Sequence, residues 1–310
     1  MQIQKITNYQ TQRNFKGIPI ERASQVVNSP VRVLFSDIDN TILYKGKASK
    51  ENLSGIKKLI DSGVRLILTT GRGYKFAGEL FKWFNMKPDT IITSGGATIV
   101  DKDFNKLRDI TLTADDMKKI SELSQKYRKQ NIFFRYTFDG VTYFDNLKGL
   151  FINRASCADY VDSYDNLTNK GIYPTKAVFI LHPEPETFDT VQKLGEKIKS
   201  ELNDNNLSVV NAERRYCEVM RHDASKGGSV KFLKEMYGYK GENIACIGDA
   251  ENDESMAQYV TEVGGMSVSM GNGTDRMKEL SRFVTFDVKD SGFSKAVDEI
   301  LKINSTFSKR

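Results

Sequence analysis

The chain has 310 residues, 39% of them hydrophobic and 28% charged, which allows one large or two moderate domains and excludes disorder throughout. Its 46 basic and 40 acidic residues are mixed along the chain and leave a formal net charge of +6, a mild bias toward anionic ligands without a nucleic-acid-binding signature. The three cysteines lack CxxC spacing and only two histidines are present, so we expect no disulfide framework, thiolate zinc site or histidine-based triad.

No run approaches the roughly 20 apolar residues of a membrane span, and the first thirty residues lack an apolar signal region. We therefore expect a cytoplasmic protein without a membrane partner, either a monomer or a homodimer. Residues 1–30 are predicted to be an N-terminal extension without an assigned function. A targeting peptide is the alternative for residues 1–20, because they contain Lys5, Arg13 and Lys16 but no acidic residue.

Short β-rich apolar runs alternate with helical patterns in the first and last thirds of the chain. The strand candidates lie at 31–35, 64–68, 90–93, 243–247, 267–270 and 283–286. Between the first two, Ser49 is a plausible helix N-cap and Gly63 a stop signal. This alternation predicts an α/β fold, in which a Rossmann-like parallel sheet is covered by helices and ligands bind at the carboxyl ends of the strands.

The middle of the chain has a different pattern, with helical spacing at 117–127 and 188–202 and hairpin-like strands around them. The strand candidates lie at 132–138, 141–145, 176–181, 207–211 and 216–220. The first two are joined by Asp139 and Gly140, a pair preferred in tight turns. The sequence therefore predicts an α+β module inserted at 111–214, with the catalytic core formed by 31–110 and 215–310.

Two carboxylates, Asp37 and Asp39, follow the first strand candidate in the string Asp-Ile-Asp-Asn-Thr at 37–41. Like charges this close are costly unless a cation or a bound proton compensates them, and both solutions suit a catalytic site. A polar strand-to-loop turn is an equally good interpretation of this string alone.

Two further strings suit the binding of phosphate oxygens. Thr70, Gly71 and Arg72 follow the second strand candidate and combine a hydroxyl, a flexible residue and a fixed cation. Lys226 begins a helix with Ser225 as its expected N-cap, a position where a lysine opposes the helix dipole unless it faces an anion. An ordinary helix entry and a solvated surface lysine are the alternatives for each string taken alone.

An acidic loop, Gly-Asp-Ala-Glu-Asn-Asp-Glu at 248–254, follows the strand candidate at 243–247. Asp249 and Asp253 are four residues apart and can both turn into one cleft. Their oxygen atoms are the ligands that a hard cation such as Mg²⁺ prefers.

Taken in chain order, these four strings resemble the haloacid dehalogenase superfamily over residues 31–300. The position of the insert, with Asp-Ala-Ser-Lys-Gly at 223–227 and Ser-Gly-Gly-Ala at 94–97, resembles the type-IIB cap subclass, which includes Cof-type and sucrose-phosphatase-like sugar phosphatases. The chain departs from that pattern at Asn40, where many relatives have Gly, and at Gly95, where Cof-type proteins usually carry Asn.

The resemblance implies a role for each string. Asp37 corresponds to the nucleophile, Asp39 to the acid/base, and Lys226 to a further catalytic group. The implied phosphate-binding residues are Thr70, Gly71, Arg72, Lys226 and Asn252. The implied ligands of Mg²⁺ are Asp37, the backbone carbonyl of Asp39, Asp249 and Asp253.

We therefore expect a magnesium-dependent phosphatase that hydrolyses a small phosphate ester through an aspartyl-phosphate on Asp37. A sugar phosphate is favoured by resemblance, and residues 111–214 would act as the cap that determines specificity. A phosphomutase or phosphotransferase, and a non-catalytic phosphometabolite-binding protein, are the alternatives. Within the cap, Arg135 or Tyr136 would either face a sugar or pack in the sheet.

Overall fold

The computed structural model describes residues 17–76, 78, 84, 88–130, 132–138, 141–145, 159–185, 187–212 and 215–308. These residues form a large, mostly parallel sheet and a second, mostly antiparallel sheet, which confirms the predicted α/β core with an inserted α+β module. None of the helices in this part of the chain combines the length and the apolar character needed to cross a membrane.

The strands are numbered in chain order. They are β1 (Ile18–Pro19), β2 (Val33–Asp37), β3 (Leu43–Tyr44), β4 (Lys47–Ala48), β5 (Arg65–Thr69), β6 (Thr90–Thr93), β7 (Thr98–Asp101), β8 (Lys106–Asp109), β9 (Ile132–Phe138), β10 (Val141–Phe144), β11 (Asp159–Val161), β12 (Lys176–Leu181), β13 (Leu207–Ala212), β14 (Tyr216–Arg221), β15 (Ile244–Gly248), β16 (Met266–Ser269) and β17 (Phe283–Val284).

The α-helices are numbered in the same way. They are α1 (Ala23–Val26), α2 (Lys50–Asp61), α3 (Ala114–Tyr127), α4 (Tyr164–Asn169), α5 (Phe188–Leu202), α6 (Lys226–Tyr237), α7 (Glu251–Glu262), α8 (Asp275–Leu280) and α9 (Gly292–Phe307). As expected, Ser49 caps α2 by accepting the N–H of Asn52, and Ser225 caps α6 by accepting the N–H of Gly228.

The core sheet has nine strands in the order β1-β17-β16-β15-β2-β5-β6-β7-β8. The strands from β1 to β6 in that order run parallel, whereas β7 and β8 extend the edge as an antiparallel hairpin. Asp37 lies opposite Thr69, and Gly248 lies opposite Ser269. The ends of these strands therefore meet at one edge, on both sides of β2, where a doubly wound sheet binds its ligands.

The first strand of the core sheet lies within the predicted N-terminal extension. Ile18 and Pro19 pair with Phe283 and Val284 of β17, and Ile20 is buried in the main hydrophobic cluster. This segment of the predicted extension therefore packs on the core sheet; residues 1–16 lie outside the described part of the chain.

The second sheet has six strands in the order β11-β10-β9-β12-β14-β13, antiparallel except for the β10–β11 pair. One face packs against α3 and α5 in a separate apolar cluster that includes Met117, Phe179 and Val191. Because β14 belongs to this sheet, the predicted border at 215 falls too early, and the module extends to Arg221. The predicted turn at Asp139 and Gly140 lies outside the described residues.

The two chain connections between core and module lie side by side. Arg108, at the end of β8, donates through Nη2 to the carbonyl of Asp223, 3.1 Å away. Arg221, at the end of β14, contacts the Asp116 carboxylate of α3 at 3.4 Å. The chain therefore leaves the core and returns to it at neighbouring points.

Candidate active site

Asp37 is the last residue of β2, a strand buried along its whole length. Its side chain is 8% exposed. The chain then turns sharply at Asn40, which has a φ of 60°, a conformation that asparagine tolerates better than most residues. The departure from glycine at this position therefore preserves the turn.

Three carboxylates meet at the carboxyl ends of β2 and β15. One oxygen each from Asp37, Asp249 and Asp253 lies within 4.8 Å of the others, and all three residues are buried. Asp253, in the first turn of α7, is held in place because its Oδ2 accepts the backbone N–H groups of Asp249 and Ala250. The spacing of the acidic loop thus brings both aspartates into one cleft, as the sequence predicted.

The side chain of Lys226 is completely buried and lies between two of these carboxylates. Its Nζ donates to Asp37 Oδ1 at 2.5 Å and to Asp253 Oδ1 at 2.6 Å. The helix that carries it approaches the core closely, since Gly96 has a φ of 111° and a Cβ atom there would lie 2.2 Å from the carbonyl carbon of Ser225. The alternative of a solvated surface lysine is therefore wrong.

The cluster holds three carboxylates and one ammonium group, all of them buried or nearly so. Burial, with repulsion from Asp253, outweighs the attraction of Lys226 and raises the pKa of Asp37 to about 7. Burial and the neighbouring Asp37 also raise the pKa of Asp249. Burial alone would lower the pKa of Lys226, but Asp253 and Asp37 outweigh it and raise that pKa.

The chemistry of this donor set fits a hard cation. The three side chains of the cluster offer carboxylate oxygens, which are preferred by Mg²⁺ and Ca²⁺, and the surplus of negative charge is what a divalent cation would offset. Thr41 supports the arrangement, because its hydroxyl donates to Asp249 Oδ1 at 3.1 Å. The predicted role of the Asp39 backbone carbonyl stays a prediction.

The Asp39 carboxylate lies outside the acidic cluster and pairs with Arg72. The guanidinium donates from Nε and Nη2 to the two carboxylate oxygens at 2.9 and 2.7 Å, a bidentate geometry that fixes the orientation of both groups. Arg72, predicted to bind phosphate, therefore contacts the predicted acid/base in this structure. Both side chains are partly exposed at the mouth of the cleft.

The other predicted phosphate-binding residues surround the same strand end. Thr70 is buried, and its Oγ1 accepts the backbone N–H of Arg72 at 3.1 Å, which leaves its own O–H available as a donor. Asn252 lies next to Gly71, since a Cβ atom on that glycine would be 3.9 Å from Asn252 Nδ2. The Oδ1 atom of Asn252 is buried and has no hydrogen-bond partner among the described residues.

Sequence reasoning missed Lys176, a residue of the inserted module that reaches this loop, and its partner Glu218. Lys176 donates through Nζ to the Gly71 carbonyl at 3.0 Å and to Glu218 Oε1 at 2.6 Å. Lys176 and Glu218 both lie in ordinary strand patterns, so only the approach of the second sheet to the core reveals their position near the site. Of the two candidates in the string 133–136, Tyr136 donates to the Met117 carbonyl on the helix-covered face, whereas Arg135 lies over the Tyr216 ring on the other face.

The family of haloacid dehalogenase-like hydrolases matches residues 34–297. The 5-amino-6-(5-phospho-D-ribitylamino)uracil phosphatase YwtE of Bacillus subtilis is 27% identical over 286 residues, 86% of this chain and 96% of that protein. The phosphatase YwpJ of the same organism is 22% identical over 294 residues, which cover 87% of this chain and 100% of that protein.

Two solved structures share the fold. The phosphatase BT1666 from Bacteroides thetaiotaomicron has a TM-score of 0.70 at 23% identity, covering 87% of this chain and 95% of that one. The subclass IIB sugar phosphatase BT4131 has a TM-score of 0.70 at 15% identity, covering 88% of this chain and 100% of that one.

Proposed function

Since the chain belongs to the haloacid dehalogenase-like hydrolases, as its motifs indicated, we propose that it is a magnesium-dependent phosphatase that forms an aspartyl-phosphate on Asp37. The expectation of an enzyme is confirmed at the level of the family, in which relatives that cover 86–87% of this chain are named phosphatases. The substrate is a small phosphorylated metabolite, and a sugar or polyol monophosphate is the favoured class.

One observation carries this proposal: Asp37, Asp249, Asp253 and Lys226 form a buried cluster at the carboxyl ends of adjacent parallel strands. A merely structural cluster would not need three carboxylates for one lysine, because each uncompensated buried charge costs several kcal/mol (about 3–5) when its partner is missing. Mg²⁺ would be held by the three aspartates and by the Asp39 backbone carbonyl, where it would offset their charge and withdraw electrons from the phosphate.

The residues of the chain divide the reaction between them. Asp37 attacks phosphorus with one carboxylate oxygen, the bond from phosphorus to the ester oxygen breaks, and Asp39 gives its proton to the departing alcohol. In the second step Asp39 takes a proton from water, whose oxygen attacks phosphorus and releases Asp37 and inorganic phosphate. Arg72 orients the Asp39 carboxylate through two hydrogen bonds.

Lys226 and Thr70 act on the phosphoryl oxygens. An ammonium group has three N–H donors, of which Lys226 uses two on Asp37 and Asp253. The third N–H and the Thr70 hydroxyl are the donors that would stabilise charge on the phosphoryl group as it is transferred.

The test is the substitution Asp37→Asn, which keeps the shape of the side chain and removes the nucleophile. We expect phosphate release from a panel of sugar, polyol and aryl phosphates with Mg²⁺ to fall by at least about 10³-fold. Acid-quenched wild-type protein should carry covalent phosphate, and the variant none. Asp61→Asn is the matched control, because Asp61 is exposed and pairs with Lys57 on the surface of α2.

Wild-type turnover by Asp37→Asn would refute the covalent mechanism. Isomerised sugar phosphate formed without free phosphate would favour the phosphomutase alternative. If the wild-type protein bound phosphate esters without consuming them, the non-catalytic alternative would replace this proposal.

A further inference from the structure

One face of the second sheet is covered by α3 and α5. The opposite face meets the core sheet at the edge where the core strands have their carboxyl ends. On β12, Ala177 and Phe179 point into the helix-covered cluster, so Lys176 and Val178 lie on the opposite face, since side chains alternate along a strand. Lys176 reaches the Gly71 carbonyl. At the neighbouring strand end, a Cβ atom on Gly95 would lie 3.2 Å from Met220 Cε. The module therefore covers the loops on which the phosphate site is built.

Lys176 and Glu218 form a buried ion pair at this boundary. Their side chains are 7% and 13% exposed, and the distance from Nζ to Oε1 is 2.6 Å. Such a pair stabilises a fold little, because the cost of removing both charges from water offsets their attraction. Its chemistry is more informative: Lys176 has a third N–H beyond its bonds to Glu218 and Gly71, and Glu218 has a second oxygen.

Thr137 adds a third polar group to the same place. It lies directly opposite Lys176 in the pairing of β9 and β12, and paired residues share a face of the sheet. The residue is 9% exposed, and its Oγ1 is buried without a hydrogen-bond partner among the described residues. A buried hydroxyl without a partner is costly, so this atom points to a hydrogen-bonding ligand.

We infer that Lys176, Glu218 and Thr137 form the subsite that binds the leaving group and that they select a monophosphate of a neutral, hydroxyl-rich alcohol. This inference rests on the proposed phosphatase function. The ion pair is neutral overall, so it offers no net attraction to a second phosphate. A donor and an acceptor side by side match the two hydrogen-bonding capacities of a hydroxyl group, and Thr137 provides a partner for a second hydroxyl.

The position of Lys176 above Gly71 determines which part of the substrate it would read. Gly71 follows Thr70, whose hydroxyl faces the phosphoryl group in the proposed mechanism. The ammonium group therefore lies beside the loop that carries Thr70, which is where we place the alcohol as it leaves the phosphate site. Arg135 lies farther along the same face, because it pairs with Val178 across the strands.

The experiment compares ribose 5-phosphate and glucose 6-phosphate with p-nitrophenyl phosphate, whose leaving group has no aliphatic hydroxyls. For Lys176→Met in the full chain, we expect the ratio of kcat/KM for each sugar phosphate to that for p-nitrophenyl phosphate to fall about ten- to hundred-fold, the effect of one lost hydrogen bond to a charged group. Lys119→Met is the matched control, because Lys119 forms a pair of equal length with Asp204 in the same module and should leave the ratio within two-fold of wild type.

A second variant separates recognition from packing. Lys176→Met leaves the Glu218 carboxylate unpaired and could disturb the fold, whereas the double substitution Lys176→Met with Glu218→Gln removes both charges. The ratio should fall in this variant too, while its thermal melting point stays near that of wild type.

Three results would overturn the inference. The first is an unchanged ratio in both variants, the second an equal fall in Lys119→Met. The third is a wild-type preference for p-nitrophenyl phosphate or fructose 1,6-bisphosphate over both sugar monophosphates, which would leave the phosphatase proposal intact. Absence of phosphate release from every ester would instead refute the proposed function and this inference with it.

Discussion

Raising the pH of the metal-free protein from about 5 to about 8 should weaken the fold by about 3 kcal/mol through Asp37 alone. Burial, with repulsion from Asp253, raises the pKa of Asp37 to about 7 from an ordinary value of 3.8. The folded state therefore binds a proton that the unfolded chain has already lost. The resulting stabilisation is fully present below the unfolded pKa and disappears as the pH rises through the folded one.

The magnitude follows from the pKa difference. At pH of about 5 the folded-state pKa lies about two pH units higher, and each unit corresponds to about 1.4 kcal/mol. At pH of about 8 almost nothing of this contribution is left. Asp249, whose pKa is raised in the same direction by burial and by Asp37, adds to the loss.

Urea unfolding in EDTA at the two pH values measures this loss, and Asp37→Asn isolates the part due to one carboxyl group. The free energy of unfolding of wild type should drop by about 3 kcal/mol more than that of the variant. Asp61→Asn, at an exposed position, should follow wild type. Equal pH dependence in wild type and Asp37→Asn, or a wild-type protein that is more stable at the higher pH, would refute the reasoning.

Two further predictions concern Lys226. Lys226→Met should destabilise the metal-free protein by about 3–5 kcal/mol at pH of about 8, because Asp37 and Asp253 lose their buried partner; urea midpoints that match wild type would contradict this. Gly96→Ala should lower the free energy of unfolding by about 2–3 kcal/mol and should lower kcat, because the new Cβ would collide with the Ser225 backbone at a φ of 111°. A variant with wild-type kinetics, and with Lys226 unmoved in its crystal structure, would contradict this prediction.

The parts of the site that lie at strand ends could be predicted from sequence. Asp37, Thr70 and Asp249 each follow an apolar run, and the geometry of parallel sheets brings such positions to one edge. The fully buried strands and the capped helices have strong local patterns, so their bounds differ from the predicted ones by only a few residues. Lys226 could be predicted because a lysine in a first helical turn is locally unfavourable.

The contacts that were missed depend on how distant segments meet. Nothing near Arg72 in the sequence indicates that its guanidinium binds Asp39 rather than a phosphate. Lys176 occupies an ordinary strand position and becomes informative only through its distance to Gly71. Ile18–Pro19 is too short to show a strand period, so its pairing in the core sheet could not be predicted either.

The two neighbouring chain connections between core and module suggest a way in which this chain could acquire a new substrate. Since Arg108 donates to the Asp223 carbonyl, the two connections lie side by side at the same end of the core sheet. Recombination at these two points could exchange the whole recognition surface in one event, while the groups that handle phosphate are inherited unaltered. Chimaeras with grafts at 110–113 and 222–224 are accordingly the economical starting point for redesigning specificity.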